Sequence, residues 1–179
     1  MKRVFLLIVC MMCCNAVITV YSQEKGNMSA GGNVGIATGD GVTSFGIGGK
    51  FQYNVTNQIR GEGLFTYYLG DINFWDLSVN AHYLFKIPSV EKLKLYPLAG
   101  LSLMNYKGGI EIDPDTDPIW GDDITIDDDG SNVSFGLNLG GGVQYELKSN
   151  IYLQGELKYR IGETGTNKFM LLCGIAYKF

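Results

Sequence analysis

Apolar and polar residues alternate with a period of two through most of this chain. The segment 73–86 shows the pattern most clearly, because the odd positions from Trp75 to Phe85 are apolar or aromatic and the even positions include Asp76, Asn80 and Lys86. Successive side chains of a strand point to opposite faces, so such a segment forms a β-strand with one apolar and one polar face. Eight segments share this pattern, at 28–38, 43–54, 58–69, 73–86, 93–106, 132–146, 151–161 and 168–179.

The two faces together exclude an ordinary soluble sheet. In the seventh segment Glu156, Lys158 and Arg160 share one face, a concentration of charge that a dry core does not accept without partners. The opposite face is too apolar for water. Each segment has the length of a tilted strand that crosses a bilayer, and turns near 55–57, 88–92 and 148–150 are short while 106–132 is long. The predicted fold is all-β, an eight-stranded antiparallel up-and-down transmembrane β-barrel with its apolar face outward and its chain ends on the periplasmic side.

The N-terminus has the pattern of an export signal. Lys2 and Arg3 precede an apolar run, and Ser22 is a small residue before Gln23. We therefore predict a signal peptide at 1–22 and one barrel domain at 23–179. Of the 4 cysteines, only Cys173 lies outside the predicted signal peptide, so no internal disulfide is expected. The net charge of −4 argues against binding to nucleic acid.

Aromatic residues on the outward faces cluster near the strand ends, which is typical of the two interfacial girdles of a membrane barrel. The periplasmic girdle is predicted to contain Phe51, Tyr53, Tyr83, Phe85, Tyr145, Tyr177 and Phe179, and the outer girdle Phe45, Tyr67, Trp75, Phe135 and Phe169.

With the segment Tyr96-Pro-Leu-Ala-Gly100 and the terminal Tyr177-Lys-Phe179, these features resemble the OmpA/OmpX-like outer-membrane β-barrel superfamily over the whole mature chain. The resemblance implies an integral outer-membrane protein of a Gram-negative bacterium, a monomer in contact with outer-membrane lipid and lipopolysaccharide. It also implies that Tyr177 and Phe179 form a signal for the barrel-assembly machinery. No cofactor is expected.

The polar face predicts a charged barrel interior. A turn centred near residue 56 would set Lys50 opposite Glu62 and Gln52 opposite Arg60. A charge-balanced network could serve as an ion path or as a salt-bridged plug, and the plug is favoured because eight strands leave room for little more than side chains. The predicted network comprises Lys50, Arg60, Glu62, Asp76, Lys94, Glu146, Glu156, Lys158 and Arg160.

His82 is the only histidine. Some eight-stranded outer-membrane proteins modify lipid A with a catalytic histidine at the outer rim, but His82 is expected to point inward near the periplasmic end. A metal site would need more than one good nitrogen or sulfur ligand. We therefore predict no catalytic residue and no metal site.

The connection 106–132 is strongly acidic. Alternating segments at 109–113 and 123–127 predict a hairpin that continues beyond the membrane, with Trp120 near its tip, and such a hairpin resembles the extended edge of OmpX-like adhesins. Clustered carboxylates suit calcium, but Pro118 stands where an EF-hand loop needs glycine, so a solvated acidic loop is the favoured interpretation. The predicted interaction residues are Asp113, Asp115, Asp117, Trp120, Asp122, Asp123, Asp127, Asp128 and Asp129.

These patterns favour a structural or surface-interaction role that acts through the extracellular loops and could involve an extracellular ligand. A narrow channel is the alternative, motivated by the polar interior. A lipid A-modifying enzyme is the weaker alternative.

Overall fold

The computed structural model of the chain describes residues 25–39, 41–70, 72–87, 90–107, 131–163 and 167–179. The predicted signal peptide, and the part of the acidic connection from 108 to 130, lie outside the described residues. The strands are β1 (Met28–Gly39), β2 (Val42–Asn54), β3 (Ile59–Gly70), β4 (Phe74–Tyr83), β5 (Phe85–Ile87), β6 (Val90–Lys107), β7 (Ser131–Lys148), β8 (Ile151–Gly162) and β9 (Lys168–Lys178).

The strands close into one antiparallel barrel. Apart from β4 and β5, neighbours in the chain pair with each other, β1 pairs with β9, and β4 pairs with β6 past the short β5. Since β4 and β5 occupy one place in the wall, the barrel has eight strands, which confirms the predicted fold class. Within the described ranges no helix is long and apolar enough to cross a membrane. We call the end with the 108–130 connection the loop rim, and the end with the Val55–Gln58 turn and Phe179 the turn rim.

The predicted fourth strand is divided at Leu84. The register of β4 and β5 against β6 is the same on both sides of the break, His82 with Leu98 and Phe85 with Leu95, so Tyr83 faces Pro97. Proline has no N–H to donate to the ladder. On the side that faces β3 the pairing continues past the break, because Leu84 donates its N–H to the carbonyl of Gln58 at 2.8 Å. The Leu84 side chain packs inward.

The register expected between β2 and β3 was wrong by two residues. Lys50 faces Leu64 rather than Glu62, and Gln52 faces Glu62 rather than Arg60. The turn is longer than expected because the Thr56 hydroxyl accepts hydrogen bonds from the backbone N–H groups of Gln58 and Ile59, at 3.2 and 2.9 Å. A shift of two leaves every side chain on its predicted face.

Burial follows the sequence alternation along the wall. In β4 the side chains from Phe74 to His82 are buried at even positions, whereas Leu77, Val79 and Tyr83 are exposed. Aromatic side chains are exposed near both rims, as predicted for Phe45 and Phe169 on one side and Tyr145 and Tyr177 on the other. The apolar face is therefore outward and the polar face inward.

Candidate functional site in the barrel interior

The barrel interior is the candidate site that the described residues form. Of the nine predicted interior charges, the structure buries eight and leaves Glu146 half-buried at the turn rim. The predicted surface residues from Asp113 to Asp129 lie outside the described part of the chain.

An ion cluster formed by Lys50, Glu62, Glu156 and Tyr96 crosses the middle of the barrel. The Lys50 Nζ lies 3.1 Å from the Glu156 carboxylate and 3.9 Å from the Glu62 carboxylate. Tyr96 donates its hydroxyl to Glu156 at 2.9 Å, and Gln52 donates its amide to Glu62 at 2.7 Å. One ammonium thus compensates two buried carboxylates, and neutral donors satisfy part of the remaining charge.

His82 lies between this ion cluster and the turn rim. Arg60 donates from Nε and Nη2 to the His82 Nδ1, at 3.3 and 2.9 Å, and the His82 ring stacks on Tyr96 with 4.7 Å between ring centroids. Because Nδ1 accepts from a guanidinium, the ring proton of neutral His82 belongs on Nε2. That nitrogen lies 3.5 Å from the Glu62 carboxylate.

Glu62, His82 and Glu156 are the one set of three in the described chain whose ligand atoms could approach a metal ion, all within 4.8 Å of one another. The arrangement fits a metal poorly. A metal on His82 Nε2 would require loss of the proton that the Arg60 contact places there. The Lys50 ammonium also lies against both carboxylates already.

A second polar layer lies nearer the loop rim. Lys158 contacts the Asp76 carboxylate at 3.3 Å and the Ser78 hydroxyl at 3.1 Å. Asn138 donates to Ser78 at 3.1 Å and accepts from Ser102 at 3.2 Å. Arg160 continues the layer, because its Nε donates to the Ser102 hydroxyl at 2.9 Å and its Nη2 to the Ser134 carbonyl at 2.7 Å.

An apolar layer caps these polar groups at the loop rim. Tyr68 and Phe74 stack with 4.5 Å between ring centroids, and Phe74 also meets Tyr106 at 5.6 Å. The layer comprises Ala37, Tyr68, Phe74, Met104 and Met170, with Tyr106 packed against it. The interior is therefore filled with side chains from the ion cluster to the loop rim.

The interior charges are not balanced, contrary to the expectation from the sequence. The buried cations are Lys50, Arg60, Lys94, Lys158, Arg160 and Lys168, whereas the buried carboxylates of the described chain are Glu62, Asp76 and Glu156. The excess arises because Glu146 lies at the rim instead of inside, and because Lys168 was not recognised as an interior residue.

Sequence reasoning did not single out the neutral residues that organise the site. Tyr96 occupies a polar-face position of β6 and contacts Glu156, Arg60 and His82. Met104 and Met170 also occupy polar-face positions, which is the signal that could have identified the apolar layer in advance.

The comparisons with known proteins agree with this architecture. The fold is similar to the N-terminal β-barrel domain of OprF from Pseudomonas aeruginosa, at 19% identity and a TM-score of 0.64, with 88% of this chain and 100% of that chain covered. It is similar to Neisserial surface protein A, at 21% identity and a TM-score of 0.56, with 86% of this chain and 96% of that chain covered. It is also similar to Ail, the attachment invasion locus protein of Yersinia pestis, in complex with the heparin analogue sucrose octasulfate. Here the identity is 20% and the TM-score is 0.53, with 87% of this chain and 100% of that chain covered.

At these identities the likeness shows the fold alone, and among curated proteins no sequence matches the chain. A family model is the more direct result, since the outer membrane protein beta-barrel domain matches residues 5–179. The match covers every described strand. This chain therefore belongs to the outer membrane protein beta-barrel domain family and is an integral protein of the outer membrane.

Proposed function

We propose that this barrel is a monomeric surface-interaction protein that binds a cationic partner through the acidic 106–132 connection. In barrels of this type the short turns face the periplasm and the longer connections face outward. The loop rim, with the 108–130 connection, is then the outer surface. Eight aspartates of that connection would be presented there, at Asp113, Asp115, Asp117, Asp122, Asp123, Asp127, Asp128 and Asp129.

The observation that carries the proposal is the length of the hairpin that leads to this connection. β6 and β7 each have 18 residues and pair as far as Lys107 with Ser131. The ladder between β7 and β8 begins only at Gly136 with Gly162. The hairpin therefore continues past its β8 neighbour, and the β7 edge at 131–133 is a place where an extended partner segment could add as a strand.

The charge of the connection sets the kind of partner. Ail was solved with a sulfated heparin analogue, which is a polyanion. A surface with this density of aspartates repels polyanions and attracts lysine- and arginine-rich surfaces, with an attraction that weakens as salt rises. The proposed cationic partner is thus opposite in charge to the sulfated ligand in that structure of Ail.

Binding to intact cells tests the proposal. Cells that display the protein should retain a lysine-rich peptide and not sucrose octasulfate, and retention should fall at high salt. Replacement of 109–127 by a two-residue Asn-Gly turn should abolish retention while the barrel still folds. A charge variant with Asp122, Asp123, Asp127, Asp128 and Asp129 changed to asparagine keeps the length and should lose most retention. Full retention by both variants would reject the proposal.

The barrel interior supports the channel alternative less than the polar strand faces of the sequence suggested. The apolar layer at the loop rim lies across the route that an ion would take, and the ion cluster fills the barrel below it. We expect the well-inserted protein to be silent in planar-bilayer conductance measurements, and steady single-channel currents would favour the alternative.

The lipid A-modifying enzyme is the weakest alternative. His82 is buried near the turn rim, and Arg60 and Tyr96 surround its ring, so it lies far along the barrel from the loop rim. His82→Ala should leave lipid A composition unchanged in cells that express the protein.

Tyr177 and Phe179 are the proposed contact for the barrel-assembly machinery. Both side chains are exposed on the outward face of β9 at the turn rim, and the Phe179 N–H donates to the Met28 carbonyl at 3.0 Å. This closes the last strand onto the first and leaves the Phe179 ring free to be bound.

A further inference from the structure

Three lysines surround the mouth of the barrel at the turn rim. Lys86 and Lys94 are directly opposite each other in the β5–β6 ladder. Lys178 is the last residue of β9. Like charges that face each other across a strand pair destabilise the sheet unless something compensates them. We call Lys86, Lys94 and Lys178 the basic mouth.

Such a cluster needs carboxylates to compensate its charge, and few lie near it in the described structure. Among the neighbouring charges that act most strongly on Lys94, those of Lys86, Arg60 and Lys178 are positive and that of Glu146 is negative. None of the ion pairs between described side chains involves a residue of the basic mouth. Arg60 adds a fourth positive charge deeper inside, where its guanidinium is directed to Gln144 and His82.

The shortage of compensating negative charge matters most for Lys94, because that residue is only 6% exposed. Its Nζ lies 5.9 Å from the centroid of the Tyr152 ring, a contact that offers a weak partial compensation. A buried ammonium is strongly destabilising unless it is paired or hydrogen-bonded.

A neighbouring amide supplies an independent sign of a ligand. Gln144 is 1% exposed and faces Lys94 across the β6–β7 ladder. Its Oε1 accepts from Arg60 and Gln154, which fixes the orientation of the amide, and its Nε2 has no acceptor in the described chain. A buried donor without an acceptor is uncommon in a folded protein and calls for an explanation.

We propose that the basic mouth, together with the Gln144 amide, is a binding site for a phosphate group. Tetrahedral oxyanions accept several hydrogen bonds at once, and lysine ammonium groups are common phosphate ligands. The group can come from free phosphate or from the head group of an anionic phospholipid at the inner leaflet, since the turn rim faces the periplasm. The site lies at the opposite end of the barrel from the acidic connection, and it does not depend on the surface-interaction proposal.

Two probes distinguish the sources. The full-length protein, purified in a zwitterionic detergent, is titrated with inorganic phosphate by calorimetry. In parallel, nanodiscs that contain phosphatidylglycerol or phosphatidylcholine are used, and lipid retained on the released protein is counted by native mass spectrometry. If inorganic phosphate binds and phosphatidylglycerol is not retained selectively, the natural ligand is a free anion. If phosphatidylglycerol is retained selectively, the natural ligand is the head group of an anionic phospholipid.

The variants locate the site. Lys94→Gln and Lys86→Gln should each weaken binding about tenfold or more, the size expected for loss of a charge-assisted hydrogen bond. Lys148→Gln removes an exposed lysine near the same rim and should bind like the wild type. Circular dichroism checks that each variant folds, and if Lys94→Gln fails to fold, the half-buried Lys86→Gln decides.

Three results would overturn the site. The first is that neither probe binds the wild type. The second is unchanged binding by a folded Lys86→Gln protein. The third is an equal loss in Lys148→Gln, which would mean that the attraction is diffuse charge and not a built site.

Discussion

The Lys50 ammonium on β2 contacts the Glu156 carboxylate on β8 across the barrel, at 3.1 Å, although 106 positions separate the two residues in sequence. Because β1 and β9 stand between these strands in the wall, the contact ties opposite sides of the barrel together. Lys50→Met would leave Glu156 and Glu62 buried without their cation and should lower the free energy of unfolding by about 3 to 5 kcal/mol. Equilibrium urea unfolding in lipid vesicles measures this.

Lys148→Met is the matched control for that change, because Lys148 is exposed and forms no ion pair with another described side chain. It should alter stability by about 0.5 kcal/mol at most. The double variant Lys50→Met/Glu156→Gln should recover part of the loss. An equal effect of the two lysine variants would contradict the buried ion cluster.

Gly142 makes room for the Tyr96 ring. A Cβ added at Gly142 would lie 2.5 Å from the Tyr96 Cζ, which is closer than atoms can approach. We expect Gly142→Ala to displace the ring, to disturb its bond to Glu156 and to destabilise the barrel by about 1 to 3 kcal/mol in the same unfolding measurement. Gly63→Ala is the control, since its Cβ would meet nothing within 4 Å. Equal stabilities of the two variants would show that Tyr96 is not held there.

The outward face should respond to charge according to depth. Leu137 is exposed in the middle of the wall, and Leu147 is exposed near the turn rim. Leu137→Arg should lower the free energy of unfolding by about 2 to 4 kcal/mol, because it places a guanidinium in hydrocarbon, whereas Leu147→Arg should cost about 0 to 1 kcal/mol near the interface. Identical costs in lipid vesicles would contradict the membrane depth assigned to these residues.

The Arg60 contact sets the position of the His82 ring proton. Long-range ¹H–¹⁵N NMR spectra at neutral pH should show the proton on Nε2 and an unprotonated Nδ1. Arg60→Leu removes the donor and should yield a mixture of tautomers. A proton on Nδ1 in the wild type would mean that the arrangement of Arg60 and His82 is different in solution.

The exposed terminal ring should matter for assembly more than for stability. Phe179→Ala should reduce the amount of protein inserted in the outer membrane of cells, while refolding from urea into lipid vesicles stays close to that of the wild type. Phe45→Ala removes an equally exposed ring at the other rim and should leave cellular insertion unchanged. Equal insertion of both variants would remove Phe179 from the proposed signal.

The sequence alternation was sufficient for the fold because each residue's face depends only on its parity along a strand. It placed Lys50, Glu62 and Glu156 inside correctly for that reason. It could not identify their partners, since the Lys50–Glu156 contact depends on which strands lie across the barrel and on the length of the Val55–Gln58 turn.

The division of the fourth strand could not be predicted from the residues of that strand either. Its cause, Pro97, lies in the neighbouring strand and acts only through the register that brings it to Tyr83. Glu146 was misplaced for a related reason, because parity gives the side of the sheet and not the distance from the rim.

The apolar layer at the loop rim also acts as an electrical insulator. With Tyr68, Phe74 and Met104 above them, Asp76 and Lys158 are shielded from the ions of the external medium, so their attraction is screened much less than that of exposed charges. A bacterium that moves between dilute and saline water changes the medium at its surface many-fold, yet the ionic interior of this barrel would experience little of that change.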